Sequence, residues 1–407
     1  MKKFLLAIML LIPLMASAES VEIDGIYYNL ITNSNQAEVT KSPEGYSGTV
    51  TIPSSFIYNG TEYSVTSIGE WSFFNSNGLT SVSIPNSVTS IGSRAFYCCA
   101  ELEKVNIPNS VNSIDLEAFA SCSALTSIDI PNSITILRTG IFSGCTGLTT
   151  IDIPNSVTNI ESNAFAGCIG FSSVSIPNSV TSIGSAAFYY CTGITSLTLG
   201  NSVSNTGASV FRGCKSLTSV IIPNSMTSIS DYAFADCTSL SSVTIGSNVN
   251  TIGGHAFNAC TGLASITIPN GVTRIGSDAF SGCSGLVSIV IGNGVNRISN
   301  LVFYGCKELK DVYCMAEQVP IAEYDIFNNS NIESATLHVP ESSIESYRAE
   351  KPWNEFKNII VIDEQSGVQS TTFDNNTISP IYDLNGKRLK MPTKGINIVG
   401  GKKFVVK

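Results

Sequence analysis

The stretch LTSVSIPNSVTSIGSRAFYCCAE, residues 79–101, recurs along the chain with a period of 23 residues. Ten such units occupy residues 79–308 without an insertion or a deletion. A fixed period of this length predicts that one supersecondary unit is stacked many times into a solenoid. The largest apolar side chain of every unit is a phenylalanine at position 18, and these rings are expected to form the structural core of the stack: Phe96, Phe119, Phe142, Phe165, Phe188, Phe211, Phe234, Phe257, Phe280 and Phe303.

Within one unit, the apolar residues mark a short strand followed by two bends. Val82 and Ile84 alternate with polar residues, as in a strand that buries one face. Pro85 then ends the strand, because proline has no amide hydrogen for the sheet interior. Ile91 returns to the core, and Phe96 begins a short helical or irregular return. We therefore predict a repeat solenoid built from short parallel β-strands with irregular or short-helical returns.

This pattern, LxxVxIPxxVxxIGxxAFxxC, closely resembles the BspA-like class of leucine-rich repeats found on bacterial surface proteins, over residues 50–339. The resemblance implies a leucine-rich-repeat fold and a non-enzymatic surface or secreted protein. It also implies adhesion to host or microbial partners as the usual role, without choosing a ligand.

Both ends of a solenoid need covers, because an open end exposes a strand edge and an apolar face. Residues 19–78 are predicted to form the N-terminal cap and a degenerate first repeat. Within them, residues 21–30 indicate a strand and residues 48–53 a first coil. Asn59-Gly60 is typical of a tight hairpin turn.

Residues 309–362 are predicted to form the C-terminal cap, followed by a polar linker over residues 363–370. Residues 335–340 repeat the strand-then-proline pattern, and residues 358–362 indicate a last strand. Between them we expect one helix that contains Ile344, Tyr347 and Trp353, capped by Ser342 or Ser343.

The first 18 residues have the organisation of a secretory signal peptide. Lys2 and Lys3 precede an apolar stretch over residues 4–15, and Ala16-Ser17-Ala18 is a small-residue cleavage site. The sequence therefore predicts an exported protein that starts near Glu19. No other apolar segment is long enough to cross a membrane, so no transmembrane span is expected in the mature chain.

The last segment, residues 371–407, alternates β-prone runs with Asn385-Gly386 and Gly400-Gly401 turn signals, which predicts a small β tail. Its IYDLNGKRL stretch and its KKFVVK terminus resemble the short sorting domain that type IX secretion reads in the Bacteroidetes phylum. The resemblance implies contact with the secretion machinery through residues 371–407. The alternative is a small stabilising β appendage.

Composition argues against several classes of function. Only 13% of the 407 residues are charged and the net charge is −9, so there is little electrostatic basis for binding nucleic acid. The 12 cysteines and 2 histidines lack zinc-ligand spacing, and no nucleotide-binding fingerprint occurs, so no metal and no cofactor is expected. Ten of the cysteines stand in register and are expected to form a buried column of free thiols. Cys98 and Cys314 lie outside that column and could pair or react.

The outward positions 3 and 5 of each predicted strand carry mostly serine and threonine. Such a surface is either a platform for glycan or protein, or simply a soluble face of high β-propensity. The departures from the pattern are the better site candidates, and they comprise Lys104, Asp129, Asp152, Ile221 and Val290. The repeat that contains Thr206 and Val210 also departs from the consensus, which predicts a local distortion of the stack or a ligand notch.

Catalysis has no support in the sequence. His255 and His338 stand in unrelated repeats without a nucleophile elbow. Asp129 and Asp152 could serve as paired carboxylates, yet neighbouring acids on an open sheet are more often plain surface charge. We therefore expect an exported, non-enzymatic cell-surface or secreted protein that mediates adhesion to, or recognition of, host or microbial protein or glycan. The alternative is an inert structural spacer or surface-layer component.

Overall fold

The computed structural model describes residues 20–323 and 325–362, and it gives the backbone of four strands in the tail. The predicted signal peptide, residues 1–18, and the linker, residues 363–370, lie outside the described residues. The described chain winds into a parallel β-solenoid of about 13 turns, as the repeat predicts.

One side of most coils contributes to a ladder of parallel strands, here called the first ladder. Its strands have three to six residues, and in the repeats a proline or glycine at position 7 ends the pairing. They are β4 (Ser47–Thr51), β7 (Gly78–Ser83), β9 (Lys104–Asn106), β13 (Ser173–Ser175), β15 (Ser196–Thr198), β17 (Ser219–Ile221), β19 (Ser242–Thr244), β21 (Ser265–Ile268), β23 (Ser288–Ile291), β25 (Asp311–Cys314), β27 (Thr336–Val339) and β28 (Asn358–Val361).

A second ladder runs along another side of the stack and was not predicted from the sequence. Most of its strands have only two residues, at positions 12 and 13, which is too short to show any alternation. They are β6 (Thr61–Ile68), β8 (Ser90–Ile91), β10 (Ser113–Ile114), β11 (Ile136–Leu137), β12 (Asn159–Ile160), β14 (Ser182–Ile183), β16 (Asn205–Thr206), β18 (Ser228–Ile229), β20 (Thr251–Ile252), β22 (Arg274–Ile275), β24 (Arg297–Ile298) and β26 (Ile321–Ala322).

The phenylalanine column fills the centre of the stack, as predicted. Every ring from Phe73 to Phe303 is buried. Consecutive rings lie 4.7–5.8 Å apart and within 18° of parallel, and the column continues to Phe327 in the C-terminal cap. This distance is close to the strand spacing of about 4.8 Å, so the coil repeat and the ring stack reinforce each other.

The returns are irregular rather than helical. The amide of Phe96 donates to the carbonyl of Ala118 at 2.7 Å, and the amide of Cys98 donates to the carbonyl of Ala120 at 2.9 Å. Left-handed residues such as Arg94 and Cys98, with φ of 54° and 60°, turn alternate amides toward the next coil. These bonds between coils replace those that a helix would form within the return.

The cysteine column is buried beside the rings. Each thiol donates to a phenylalanine carbonyl of the preceding coil, as Cys99 does to Phe73 at 2.9 Å. All twelve cysteines are unpaired, so the expectation of free thiols is confirmed. The idea that Cys98 and Cys314 pair is wrong, because they lie toward opposite ends of the stack. Cys314 is buried and accepts a hydrogen bond from the Tyr347 hydroxyl at 3.2 Å.

The N-terminal cap contains β1 (Ser20–Ile23), β2 (Ile26–Ile31), β3 (Gln36–Val39) and β5 (Ser55–Tyr58). The single strand predicted over residues 21–30 is wrong. Asp24 and Gly25, with φ of 48° and 79°, form a tight turn that splits it into an antiparallel hairpin. The hairpin predicted at Asn59-Gly60 is confirmed between β5 and β6.

The C-terminal cap places α1 (Ile344–Ala349) between two short 3-10 turns, Glu341–Ser343 and Trp353–Glu355. The prediction of one helix reaching Trp353 is wrong. Pro352 lacks the amide that would continue the helix, and it disfavours helical backbone at the preceding residue. The expected side-chain cap is also absent, because the Ser343 hydroxyl donates to the Pro340 carbonyl at 3.3 Å.

The described part of the tail consists of β29 (Ile381–Asp383), β30 (Arg388–Leu389), β31 (Gly395–Val399) and β32 (Lys402–Val406). They pair antiparallel in the order β30-β29-β31-β32. The sorting role of this tail stays a prediction. Over the part of the chain that the structure describes, we find no helix with the length and apolarity needed to span a bilayer.

The departure at Thr206 proves to be a local distortion of the second ladder. Thr206 is buried, and the ladder stops between β16 and β18. In most coils the amide at position 14 donates to the carbonyl at position 13 of the previous coil, as Gly253 does to Ile229 at 2.8 Å. Here the Ser230 hydroxyl makes that bond to the Thr206 carbonyl instead.

Candidate functional site

The outward side chains of the first ladder, at positions 3 and 5, form a surface that we call the sheet face. Apolar residues at positions 4 and 6 point to the core and leave these side chains in solvent, as in Lys104–Asn106, where only Val105 is buried. The side-chain alternation of a strand therefore fixes which residues this face presents.

The first ladder is interrupted in the two coils that carry Asp129 and Asp152. The first ladder has no strand between β9 and β13. The backbone bonds that remain there are long, such as 3.4 Å from the Thr149 amide to the Thr126 carbonyl. Both aspartates are exposed at position 5 of adjacent coils. The ladder also breaks between β15 and β17 and between β19 and β21, but there both strands are present. In the two aspartate coils the strand itself is missing, and both the like charges and the low β-propensity of aspartate disfavour it.

A groove of about 400 Å³, here called the acidic groove, lies beside this break on the sheet face. Asp129 and Asp152 both line it, so the structure brings this predicted pair together. The other lining residues supply amides, one hydroxyl and an apolar floor: Asn132, Asn155, Ser175, Ile130, Ile151, Ile153, Pro154 and Pro177. Carboxylate and amide oxygens above apolar side chains suit a ligand that presents hydroxyl or amide donors.

The other three predicted site residues lie elsewhere. Lys104 is exposed on β9, but it does not line the acidic groove and forms no ion pair within the described residues. Ile221 is 68% exposed on β17, in register with Thr244. Val290 is half-buried on β23, separated from Ile221 by the break between β19 and β21. The five predicted residues therefore do not form a single patch.

The thiol column offers no reactive or metal-binding group. Burial raises the pKa of the Cys145 and Cys191 thiols to about 12, so they stay protonated at neutral pH. Across residues 20–323 and 325–362, no group of three or more histidine, cysteine, aspartate or glutamate side chains could hold a metal ion.

Comparison with known families agrees with this geometry. A profile described as "BspA type Leucine rich repeat region" matches in six copies, over residues 54–171, 158–287 and 250–379. These matches cover well over half of the sequence. The chain belongs to the BspA-type leucine-rich repeat family. No enzyme family is indicated by the comparisons. A search of the curated proteins found no match.

Solved structures similar to this BspA-type chain come from several bacteria. A leucine-rich cell surface protein of Faecalibacterium prausnitzii is 28% identical, with a TM-score of 0.50, over 86% of this chain and 96% of that one. The pneumococcal vaccine antigen PcpA is 18% identical, with a TM-score of 0.53, over 85% and 99%. A leucine-rich repeat protein of Bacteroides ovatus is 27% identical, with a TM-score of 0.45, over 74% and 99%.

The structure of this BspA-type solenoid also adds residues that sequence reasoning missed. Val290 continues in register through Tyr313 and His338 to Ile360, across β23, β25, β27 and β28. Tyr313 and His338 stack at 4.1 Å, and His338 lies 3.0 Å from a carboxylate oxygen of Asp311. These residues could have been found by continuing the strand register into the C-terminal cap. They were missed because the units there are no longer 23 residues long, so the period does not align them.

Proposed function

We propose that this BspA-type chain is an exported, non-enzymatic cell-surface or secreted protein that recognises a host or microbial protein or glycan. The acidic groove is its primary contact. The observation that carries the proposal is the coincidence of three features in two adjacent coils. They are the interrupted ladder, the paired carboxylates of Asp129 and Asp152, and a cavity of about 400 Å³ that both carboxylates line.

Local energetics support a role in binding. Two like charges side by side weaken the ladder, and the exposed serine and threonine residues of the neighbouring coils show that neutral side chains fit there. Retaining a destabilising pair is typical of a surface whose side chains serve recognition. Neighbouring coils supply further contacts at regular spacing, so an extended partner gains from several weak contacts.

The surface location draws on the predicted signal peptide and on the family. One similar solved structure bears the description of a cell surface protein, from Faecalibacterium prausnitzii. The tail, residues 371–407, is proposed to contact the secretion machinery. Deletion of this tail is expected to leave the protein in the periplasm, and unchanged display on the cell surface would exclude that contact.

The groove is tested by probing the exported chain against arrays of glycans and bacterial and host surface proteins. We expect at least one ligand of micromolar affinity whose binding falls at least tenfold in the double variant Asp129→Asn, Asp152→Asn. The control is Glu101→Gln, Glu308→Gln, which removes two exposed carboxylates at position 23 and is expected to bind normally. Absence of any ligand would instead support an inert spacer.

A further inference from the structure

The returns carry a second unusual surface, formed by the side chains at positions 16, 19, 20 and 22. In several coils these positions hold small residues, such as Gly140, Ser143 and Gly144. In the middle of the solenoid, large side chains that are half-exposed or exposed replace them. This surface, here called the tyrosine patch, comprises Tyr189, Tyr190, Arg212, Lys215, Tyr232 and His255.

The members of the patch pack in two groups of three, and the Tyr190 amide joins the groups by donating to the Arg212 carbonyl at 2.8 Å. Tyr189 and Tyr190 lie 4.5 Å apart between ring centroids, and the Lys215 ammonium lies 5.8 Å from the Tyr190 ring. The Arg212 guanidinium lies 5.2 Å from the Tyr232 ring, which stacks on His255 at 4.4 Å and 7°. Such contacts reduce the side-chain freedom that a partner would otherwise have to restrict on binding.

The backbone of the patch is strained where its rings are attached. Tyr190, Tyr232 and His255 have φ of 53°, 57° and 55°, in the left-handed region that bulky side chains rarely adopt. Gly140 and Gly144 hold the same two repeat positions in another coil with φ of 62° and 73°. Both positions are left-handed in all ten coils, so this conformation belongs to the repeat, and a bulky ring costs more folding free energy there than glycine does.

A neighbouring glycine makes room for one of these rings. A Cβ built on Gly213 would lie 2.7 Å from the Tyr190 ring, so no larger residue fits beneath it. The Tyr190 ring therefore rests on the backbone of the next coil, with Lys215 beside it. The arrangement is a rigid surface rather than a set of freely moving side chains.

The geometry favours a protein over a sugar as the ligand. Stacking on a sugar needs an open ring face, but Arg212 and His255 both pack against the Tyr232 ring. The groups left to a partner are ring edges, hydroxyls and cations. Rigid tyrosines with an arginine are typical of the energetic centres of protein interfaces.

The charged side chains of the tyrosine patch indicate which class of partner protein it would bind. Asp236 neutralises Arg212, with 2.9 Å between Nε and Oδ2. Asp278 lies beside His255, with 3.9 Å between Oδ2 and Nε2. Lys215 is exposed and has no carboxylate partner among the described residues. It is therefore an available cation in a chain of net charge −9. We propose that the tyrosine patch binds an acidic peptide segment of a partner protein, independently of the acidic groove.

The test selects ligands from a displayed library of random 15-residue peptides with the full chain as bait. We expect selected peptides to be enriched in aspartate and glutamate. Their dissociation constants, measured by fluorescence anisotropy, should rise at least tenfold in Lys215→Glu, whose side chain is exposed and supports no fold contact beyond the Tyr190 ring. Tyr304→Ser is the matched control, since Tyr304 is an exposed tyrosine at position 19 outside the patch.

A second variant separates recognition from a structural role. Tyr232→Asn puts a residue that tolerates left-handed backbone in place of the ring, so Tm should stay equal or rise while affinity falls at least tenfold. A lower Tm with unchanged affinity would overturn the proposal. So would selection of no peptides, selection of peptides without acidic residues, or equal affinity for Lys215→Glu. Loss of binding to a neutral oligosaccharide in these variants would assign the patch to sugar instead.

Discussion

The Ser230 hydroxyl donates a hydrogen bond of 2.5 Å to the main-chain carbonyl of Thr206 in the preceding coil. The same hydroxyl lies 2.8 Å from the Thr206 hydroxyl. A side chain thus satisfies a carbonyl that in most other coils accepts from a backbone amide. The solenoid tolerates a gap in its second ladder because a hydroxyl can bridge the gap.

Replacing Ser230 with alanine should therefore destabilise the protein. The Thr206 carbonyl would lose its partner, which costs about 1 kcal/mol in the free energy of unfolding. Ser299→Ala is the control, because Ser299 holds the same repeat position but its backbone amide already donates to Ile275 at 3.0 Å. Urea denaturation measures both variants, and equal stabilities would contradict the bridging role.

Replacing the paired aspartates should raise the free energy of unfolding, whereas replacing Ser230 should lower it. Replacing both Asp129 and Asp152 with serine, the residue that other coils use, should raise the free energy of unfolding by about 0.5–1 kcal/mol. The reason is that like charges no longer oppose ladder pairing. Amide exchange should also slow at residues 128–130 and 151–153. A variant that is less stable than the parent would show that the carboxylates support the fold instead.

The phenylalanine column should be costly to interrupt. Phe188→Ala removes a buried ring between Phe165 and Phe211 and should cost about 3–5 kcal/mol, since neighbouring coils cannot close the cavity. Ile221→Ala, at an exposed site, should change the free energy of unfolding by less than about 0.5 kcal/mol. Chemical denaturation compares the two, and similar effects would argue against a shared core.

The ten thiols of the column should react much more slowly with a thiol reagent than Cys98 does. Burial keeps the ten column thiols and Cys314 protonated and inaccessible, whereas Cys98 is half-exposed. In the native protein at pH 8, a thiol reagent should modify about one cysteine rapidly, and denaturation should reveal all twelve. Rapid modification of several native thiols would mean that the stack opens easily.

The same burial makes stability depend on pH in the alkaline range. Burial raises the pKa of Cys145 from 9.0 to about 12, so the folded state retains a proton that the unfolded state releases above pH 9. The free energy of unfolding should be level below that pH and fall as pH rises from 9 toward 12, by up to about 1.4 kcal/mol per pH unit for each thiol. Urea midpoints at pH 8, 9 and 10 measure the slope. Cys145→Ala should reduce it, and a slope that does not change would contradict this assignment.

The sequence predicts the stack because its period places equivalent residues above one another. Val82, Ile84 and Phe96 needed only their positions in the unit to be assigned to the core. The two-residue strands of the second ladder carry no such pattern. They arise from pairing between coils, which becomes visible only when residues such as Ile91 and Ile114 are seen in register.

The candidate site was predictable in part for the same reason. The period placed Asp129 beside Asp152, but it did not show that both coils would lack a first-ladder strand or that a groove would lie beside the two carboxylates. That outcome depends on the balance between ladder bonds and charge. Tyr232 and His255 were missed because they lie in the returns, where the unit has no apolar alternation to expose a departure.

The most direct test of recognition through the acidic groove is hydrogen–deuterium exchange of the exported chain with and without a ligand found on the arrays. If the ligand binds the acidic groove, exchange should slow chiefly over residues 128–132 and 151–155, and Asp129→Asn, Asp152→Asn should abolish this protection. Protection confined to other coils, with the groove unaffected, would contradict it.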